Sequence, residues 1–112
     1  MVTKPDIIIA SNDDFAILRR GRPLVSASWE DVSRIRAYKR DELTADLICL
    51  DVQLRNGTSW FLHEEALGWE DFLDAAQHAL PGMRAFPSWF PAVAQPAFAR
   101  NEQIIFDRRA FT

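Results

Sequence analysis

The stretch that decides the fold is residues 46–82, which read DLICLDVQLRNGTSWFLHEEALGWEDFLDAAQHALPG. Apolar and polar residues alternate over positions 46–55, as they do in a strand with one buried face. Asn56 and Gly57 follow this strand and favour a tight turn, because both residues tolerate a positive φ angle. Residues 58–64 then form a returning strand, so the pattern predicts a β-hairpin.

The sequence leaves two registers open for this hairpin. A two-residue loop pairs Leu54 with Ser59 and is slightly favoured by the turn chemistry. A three-residue loop that includes Thr58 pairs Leu54 with Trp60 instead and exposes Phe61. Because side chains alternate along a strand, a slip of one residue exchanges the two faces of the sheet.

After Gly68 the periodicity changes from that of a strand to that of a helix. Apolar side chains recur on one helical face, at Trp69, Phe72, Leu73, Ala76 and Leu80. Acidic residues crowd the first turns, where the helix dipole favours them, and Pro81 and Gly82 end the helix. Burial of the large apolar side chains would contribute about 1.5–3 kcal/mol each, before the loss of conformational entropy. We therefore expect this helix to cover a sheet.

The remaining segments predict further short strands and one irregular segment. Strands are expected at residues 6–10, 15–20, 24–28, 35–39 and 103–107. Ser28 and Asp31 have the spacing of a capping box, which predicts a single helical turn. Residues 83–112 include Pro87 and Pro91, and we expect this density of proline to forbid a regular helix. Because the segment is also aromatic, it should wrap back over the core or over a partner.

The predicted fold class is α+β, a strongly bent and mostly antiparallel sheet capped by one amphipathic helix. A chain of 112 residues is long enough to bury one core. We expect a single domain over residues 1–112, with the sheet and the helix in residues 1–82. The wrapping segment and a final short strand follow in residues 83–112.

The composition is that of an ordinary soluble domain, with 48% hydrophobic and 26% charged residues. The net charge of −3 argues against general nucleic-acid affinity, which needs a basic surface. Cys49 is the only cysteine and there are two histidines, so we expect no disulfide, no metal site and no cofactor. No apolar run approaches the about 20 residues of a membrane helix, and the first residues lack the features of a signal peptide. We therefore expect a cytoplasmic protein that does not enter a membrane.

Several of these features occur together in a known superfamily. They are Trp29-Glu30-Asp31-Val32 followed by Ile35, the strand Asp46-Leu47-Ile48-Cys49-Leu50, the Asn56-Gly57 turn, and Gly68-Trp69 at the start of an amphipathic helix. Residues 15–82 resemble the small bacterial PH-like domains, which are related to pleckstrin-homology and GRAM modules. The resemblance implies a bent antiparallel sheet closed at one end by a helix. It also implies an anion-binding role for Arg19, Arg20 and Arg22, because a basic patch at the first hairpin binds phosphoinositide headgroups in some pleckstrin-homology domains.

One group of side chains is a candidate for a catalytic or small-ligand site. His63 and Glu64 are adjacent, and Asp51 lies on the preceding strand. The spacing that a zinc protease needs is broken, since Leu67 stands where a second histidine would be required. The sequence also lacks a nucleophile elbow, a phosphate-binding glycine loop and paired cysteines. We therefore expect no enzymatic activity.

The surplus of aromatic residues is the strongest pointer to a function. If the sheet and the helix already close a core, some of these side chains lie at the surface, where tryptophan often anchors an interface. The alternative is that the C-terminal segment folds over the sheet and buries them. The residues predicted to bind a partner are Trp60, Trp89, Phe90 and Phe98.

Three functional hypotheses follow from these observations. The first is a non-catalytic interaction module that binds a protein partner or a second copy of itself. The second is an immunity protein that neutralises a basic toxin through an acidic surface. The acidic residues of this second hypothesis are Asp13, Asp14, Asp41 and Glu42. The third is a small-ligand binder or enzyme that uses His63 and the nearby carboxylates.

Overall fold

The computed structural model describes residues 6–41, 46–94 and 102–111, which form two antiparallel sheets and two helices. The first sheet contains β1 (Ile7–Ala10), β2 (Asp14–Arg19) and β3 (Arg22–Ser28), in that order. The second contains β4 (Val32–Asp41), β5 (Asp46–Leu54), β6 (Ser59–His63) and β7 (Gln103–Asp107), in the order β6-β5-β4-β7. Between β6 and β7 the chain forms the helices α1 (Trp69–Ala79) and α2 (Phe86–Ala94). This confirms the predicted α+β class with antiparallel strands.

The β5–β6 hairpin has a register that differs from both of the predicted ones. Val52 lies opposite Trp60, and the N–H of Leu54 donates to the carbonyl of Thr58 at 2.8 Å. The loop between the strands therefore has three residues and ends at Gly57, whose φ angle is 90°. A glycine in the left-handed region at the third position is a common way to close a three-residue hairpin. Both predicted registers are wrong because each began the loop at Asn56, whereas the observed loop also includes Arg55.

The faces of this hairpin follow from its register. Trp60 and Leu62 lie on the inner face, where Leu62 is buried and Trp60 packs against the core. Phe61 points outward and is 54% exposed. The favoured two-residue loop is thus wrong, because it paired Val52 with Phe61 and put Trp60 on the opposite face. The three-residue alternative exposed Phe61, as observed.

Both sheets and α1 contribute to one hydrophobic core. Phe15 of β2, Trp29 and Phe72 of α1 meet there, with ring centroids 4.9, 5.3 and 5.4 Å apart. Trp29 begins the short 3-10 turn Trp29–Asp31, which confirms the predicted helical turn. The expected capping box is not formed, because the hydroxyl of Ser28 bonds the carboxylate of Asp31 and not a backbone N–H. The helix that was predicted after Gly68 is present as α1 and buries Trp69, Phe72 and Ala76.

The first strand, β1, is hydrogen-bonded to the segment that precedes α1. The N–H of Ile8 donates to the carbonyl of Leu67 at 2.7 Å, and the N–H of Leu67 donates to the carbonyl of Asp6 at 2.9 Å. Gly68 follows with a φ angle of 89° and lies directly against the backbone of Ile8. A side chain at this position would collide with the carbonyl oxygen of Ile8, so the close approach requires glycine.

The prediction that prolines prevent a helix after Gly82 is wrong, because residues 86–94 form α2. Pro87 lies in the first turn, where the backbone N–H has no helical partner and its loss costs little. Pro91 lies inside the helix and removes one hydrogen bond. Burial of Trp89 and Val93, both 0% exposed, offsets that loss. Tertiary packing therefore outweighs the local rule.

The end of α2 is joined to the second sheet by a buried charge. Lys39 of β4 is 3% exposed, and its Nζ donates to the carbonyl of Ala94 at 3.0 Å. Asp46 of β5 lies 3.4 Å from the same nitrogen and balances its charge. A cation at a helix C-terminus is favoured by the helix dipole. This contact therefore fixes α2 against β4 and β5.

The last strand, β7, completes the second sheet along the outer edge of β4. Phe106 of β7 lies opposite Ile35, and both are buried. Arg108 comes two positions after Phe106. Its Nε donates to the carbonyl of Val32 at 2.8 Å, and its Nη2 donates to the carbonyl of Trp29 at 2.9 Å. The end of the described chain is thereby attached to the start of β4.

Candidate functional site

A groove of about 490 Å³ lies between α1 and α2, next to the end of β6. The aromatic part of its wall comes from α2, where the rings of Phe86 and Phe90 stack with centroids 4.6 Å apart. Both rings are half-buried. Trp69 and Leu73 of α1 complete the apolar wall. The groove therefore presents apolar contact area at the surface of the molecule.

The rim of the groove is acidic. Glu64, Glu70 and Asp74 line it together with the apolar side chains. Glu70 and Asp74 are one helical turn apart on the exposed face of α1, so their carboxylates lie on the same side. No lysine or arginine occurs between residues 64 and 83. These carboxylates give the rim a negative potential. The next basic residue in the sequence, Arg84, does not line the groove and bonds Gln103 and the carbonyl of Ser88.

The acidic surface continues beyond the groove. An adjoining depression of about 410 Å³ is lined by Glu64, Glu70 and two further carboxylates, those of Glu65 and Asp71. On the other side, His78 is 76% exposed and its Nδ1 lies 3.8 Å from a carboxylate oxygen of Asp74. A ligand that suits this surface would combine apolar groups with positive charge.

The predicted partner-binding residues have different positions in the structure. Phe90 lies in the groove, together with Phe86. Trp60 is half-buried on the inner face of β6 and packs against the core. Trp89 is 0% exposed and contacts Phe86 from the inner side of α2, with ring centroids 5.0 Å apart. Trp89 is therefore a core residue, which agrees with the alternative that the C-terminal segment folds over the sheet and buries its aromatic side chains. Phe98 lies outside the described residues.

The predicted anion-binding arginines lie at the tip of the β2–β3 hairpin. Arg20 and Gly21 form its turn, and both have positive φ angles, of 55° and 76°. Arg19 makes a bidentate contact with Asp6 at 3.0 and 3.2 Å, and this hydrogen bond raises the pKa of Arg19. Arg22 is exposed at the start of β3. One of the three charges is thus already compensated within the chain.

The carboxylates and the histidine of the enzyme hypothesis are each engaged in a structural contact. Nδ1 of His63 accepts the N–H of Glu65 at 3.2 Å, and Glu64 accepts the N–H of Ile48 at 3.0 Å. Asp51 forms an ion pair with Arg36 at 3.3 Å. Each of these three side chains therefore makes a contact within the chain.

The acidic residues of the immunity hypothesis are placed only in part. Asp13 and Asp14 lie in the exposed turn between β1 and β2, where the hydroxyl of Ser11 donates to Asp14 at 2.8 Å. The side chain of Asp41 and residue Glu42 lie outside the described part of the chain. The acidic rim of the groove is a different set of residues, which the sequence indicated only as the polar face of a helix.

The fold raises the pKa of Tyr38, a residue of β4 in the second sheet. Burial raises the pKa of its phenol above the usual value of 10.0, and the neighbouring Cys49 and Asp51 act in the same direction. The folded chain therefore holds this proton more tightly than the unfolded chain does. The resulting stabilisation is present below pH 10.0 and is lost as the pH rises through the higher pKa of the folded state.

We expect Tyr38→Phe to flatten the decline in unfolding free energy on the alkaline side. Tyr38 is the only tyrosine of the chain, so no second phenol masks the effect. Urea denaturation at about pH 8 and about pH 11 measures the decline in both proteins. A variant that loses as much free energy over this interval as the unchanged protein would contradict the prediction.

Residues 6–41, 46–94 and 102–111 contain no group of three or more histidine, cysteine or acidic side chains arranged to hold a metal ion. Neither α1 nor α2 is long and apolar enough to cross a bilayer, and the same holds for every helix in the part of the chain that the structure describes. Comparison with family models, with curated proteins and with solved structures finds no match to this chain.

Proposed function

We propose that this chain is a non-catalytic protein-binding module, and that the groove between α1 and α2 receives a basic amphipathic segment of a partner protein. The observation that carries the proposal is the combination of an apolar wall with an acidic rim. Glu70 and Asp74 flank the half-buried rings of Phe86 and Phe90. Glu64, which also accepts the N–H of Ile48, lies on the same rim. Apolar residues of the partner would contact Phe86 and Phe90, and its lysines or arginines would face the carboxylates.

The two parts of the groove would have different roles in this binding. Desolvated aromatic contacts generally supply most of the affinity of an interface. Charges at a rim mainly steer the approach and select the partner, and salt screens them. We therefore expect the association rate to fall as the salt concentration rises, with a smaller effect on dissociation.

A toxin-neutralising role is a special case of the same proposal. A basic toxin surface carries the charge that the groove would select, so the acidic rim supports this second candidate as well. It differs from the predicted immunity surface, which placed the contacts at Asp13, Asp14, Asp41 and Glu42. Charge reversal at Glu70 and Asp74, compared with charge reversal at Asp13 and Glu30, distinguishes the two surfaces.

We also propose that the architecture is PH-like. The six strands β1–β6 and the helix α1, which packs into the shared core, support the bent antiparallel sheet closed by a helix that the resemblance implies. The helix α2 and the strand β7, which follow α1, are additions to that plan. Because a fold hosts many functions, this architecture adds nothing to the identity of the partner.

A direct test uses a fluorescently labelled peptide with leucine and lysine at helical spacing, and its anisotropy on titration with the protein. We expect Glu70→Lys with Asp74→Lys to weaken binding about 10-fold or more, since each rim pair contributes about 0.2–1 kcal/mol and reversal adds repulsion. The matched control is Asp13→Lys with Glu30→Lys, which makes the same change in net charge at exposed residues outside the groove. The control should bind like the unchanged protein.

Three outcomes would count against the groove. Equal affinity for a peptide with glutamate in place of lysine would remove the role of the acidic rim. Loss of binding in the Asp13, Glu30 control alone would move the site to the predicted immunity surface. A salt-insensitive dimer in light scattering, abolished by Leu73→Asp, would replace the basic partner with a second copy of the chain.

A further inference from the structure

A second concave surface, of about 380 Å³, lies where the β5–β6 hairpin meets β4 and the C-terminal turn. Three arginines from separate parts of the chain line it. Arg34 comes from β4, Arg55 from the hairpin loop, and Arg109 from the 3-10 turn Arg108–Phe111. Ser33 and Gln53 lie between them and are joined by a hydrogen bond of 3.0 Å. The pocket is thus assembled only when β4, β5 and the end of the chain are in place.

The charges in this pocket are not balanced. Asp107 lies opposite Arg34 in the sheet, and its carboxylate is 3.6 Å from Nε of Arg109. The side chains of Arg34 and Arg55 make no hydrogen bond or ion pair with any residue that the structure describes. Among the residues that the structure describes, no carboxylate pairs with the guanidinium groups of Arg34 and Arg55, which therefore give a local excess of two positive charges. Like charges around a concave surface raise the local potential and repel one another.

We propose that Arg34, Arg55 and Arg109 form a binding pocket for a phosphate group, either free or carried by a larger molecule. The excess of two positive charges matches a phosphate, which carries about −1.5 to −2 at neutral pH. The planar guanidinium fork also suits bidentate contact with its oxygens. This inference does not depend on the proposed function, because the two surfaces share no residue.

The pocket differs from the basic hairpin that the sequence had indicated. Arg19 is bound to Asp6, and Arg20 and Gly21 form the turn that joins β2 to β3. Arg34 and Arg55, in contrast, are uncompensated and share a cavity. The sequence could not bring residues 34, 55 and 109 together, because their meeting depends on the pairing of β7 with β4.

The test measures phosphate binding by thermal unfolding and by the broadening of the phosphorus-31 resonance of inorganic phosphate. At a phosphate concentration ten times the Kd, the unfolding equilibrium constant should fall about 11-fold relative to sodium chloride of equal ionic strength. We expect Arg34→Gln with Arg55→Gln to abolish both effects. In chloride alone this variant should be at least as stable as the unchanged protein, because the repulsion is relieved.

The control variant is Arg20→Gln with Arg22→Gln, which removes two exposed arginines at the first hairpin and should keep both phosphate effects. Glycerol phosphate and vesicles containing phosphatidic acid, added in separate arms, show whether a soluble ester or a lipid headgroup is preferred over free phosphate. The proposal is overturned if phosphate acts no differently from chloride. It is equally overturned if the control variant loses the effect while the Arg34, Arg55 variant keeps it.

Discussion

Replacing Gly68 with alanine is expected to lower the free energy of unfolding by about 3 kcal/mol or more. Two costs combine at this position. The φ angle of 89° lies in the region that side chains with a Cβ atom disfavour. In addition, the new methyl group would be driven into the carbonyl of Ile8, with the carbonyl carbon only 3.1 Å away. The carbonyl belongs to a strand backbone and cannot turn aside as a flexible side chain would.

The collision and the φ angle can be separated by a second glycine. Gly21 also has a positive φ, of 76°, but a Cβ atom there would meet nothing within 4 Å. Gly21→Ala should therefore cost only the backbone strain, about 1–2 kcal/mol. Urea denaturation of both variants gives the comparison. Equal losses for the two changes would show that Ile8 and the start of α1 are not in the close contact described above.

Trp89→Ala is expected to cost about 3–5 kcal/mol, the range for removing a large aromatic side chain from a core. Trp89 is 0% exposed and packs against Phe86 within the aromatic cluster of α2. Its loss would leave a cavity beneath that cluster. Since α2 forms one wall of the groove, we also expect this variant to bind the basic peptide less well, as an indirect effect.

Two controls place this effect in the core. Trp89→Phe should lose less stability, because Nε1 of Trp89 makes no hydrogen bond to the residues that the structure describes and the aromatic contacts are largely kept. Phe90→Ala should cost less still, since Phe90 is half-buried, yet it should weaken peptide binding directly. If Trp89→Ala kept full stability and lost only the peptide, Trp89 would be a surface residue and its burial would be refuted.

The elements that the sequence predicted correctly are those in which short-range periodicity decides the outcome. Trp69, Phe72 and Ala76 recur at helical spacing, and α1 buries this stripe. The hairpin was predicted from the alternation of apolar and polar residues and from the Asn56-Gly57 pair. Its register was not, because the loop contains Arg55 in addition to that pair. Local signals thus locate an element more reliably than they position it against its neighbour.

The groove could not be predicted in the same way, because it depends on contacts between distant segments. Glu70 and Asp74 were visible as the polar face of a helix, and Phe86 and Phe90 as surplus aromatic residues. These four meet only because the packing of α2 on β4, β5 and β7 places it across the groove from α1. The sequence did not predict α2, because prolines disfavour a helix. Without that helix no pattern separates the buried Trp89 from the half-buried Phe86 and Phe90.

The attachment of the chain end to β4 has a consequence for biosynthesis. Arg108 bonds the carbonyls of Val32 and Trp29, which precede it by 76 and 79 positions. A nascent chain leaves the ribosome from its N-terminus, so β4, β5 and β6 can pair while β7 is still being made. Until β7 arrives, the outer edge of β4 offers unpaired N–H and C=O groups to any neighbouring nascent strand. We therefore expect the pairing of β7 with β4 to remove one site of misassembly that is open while β7 is being made.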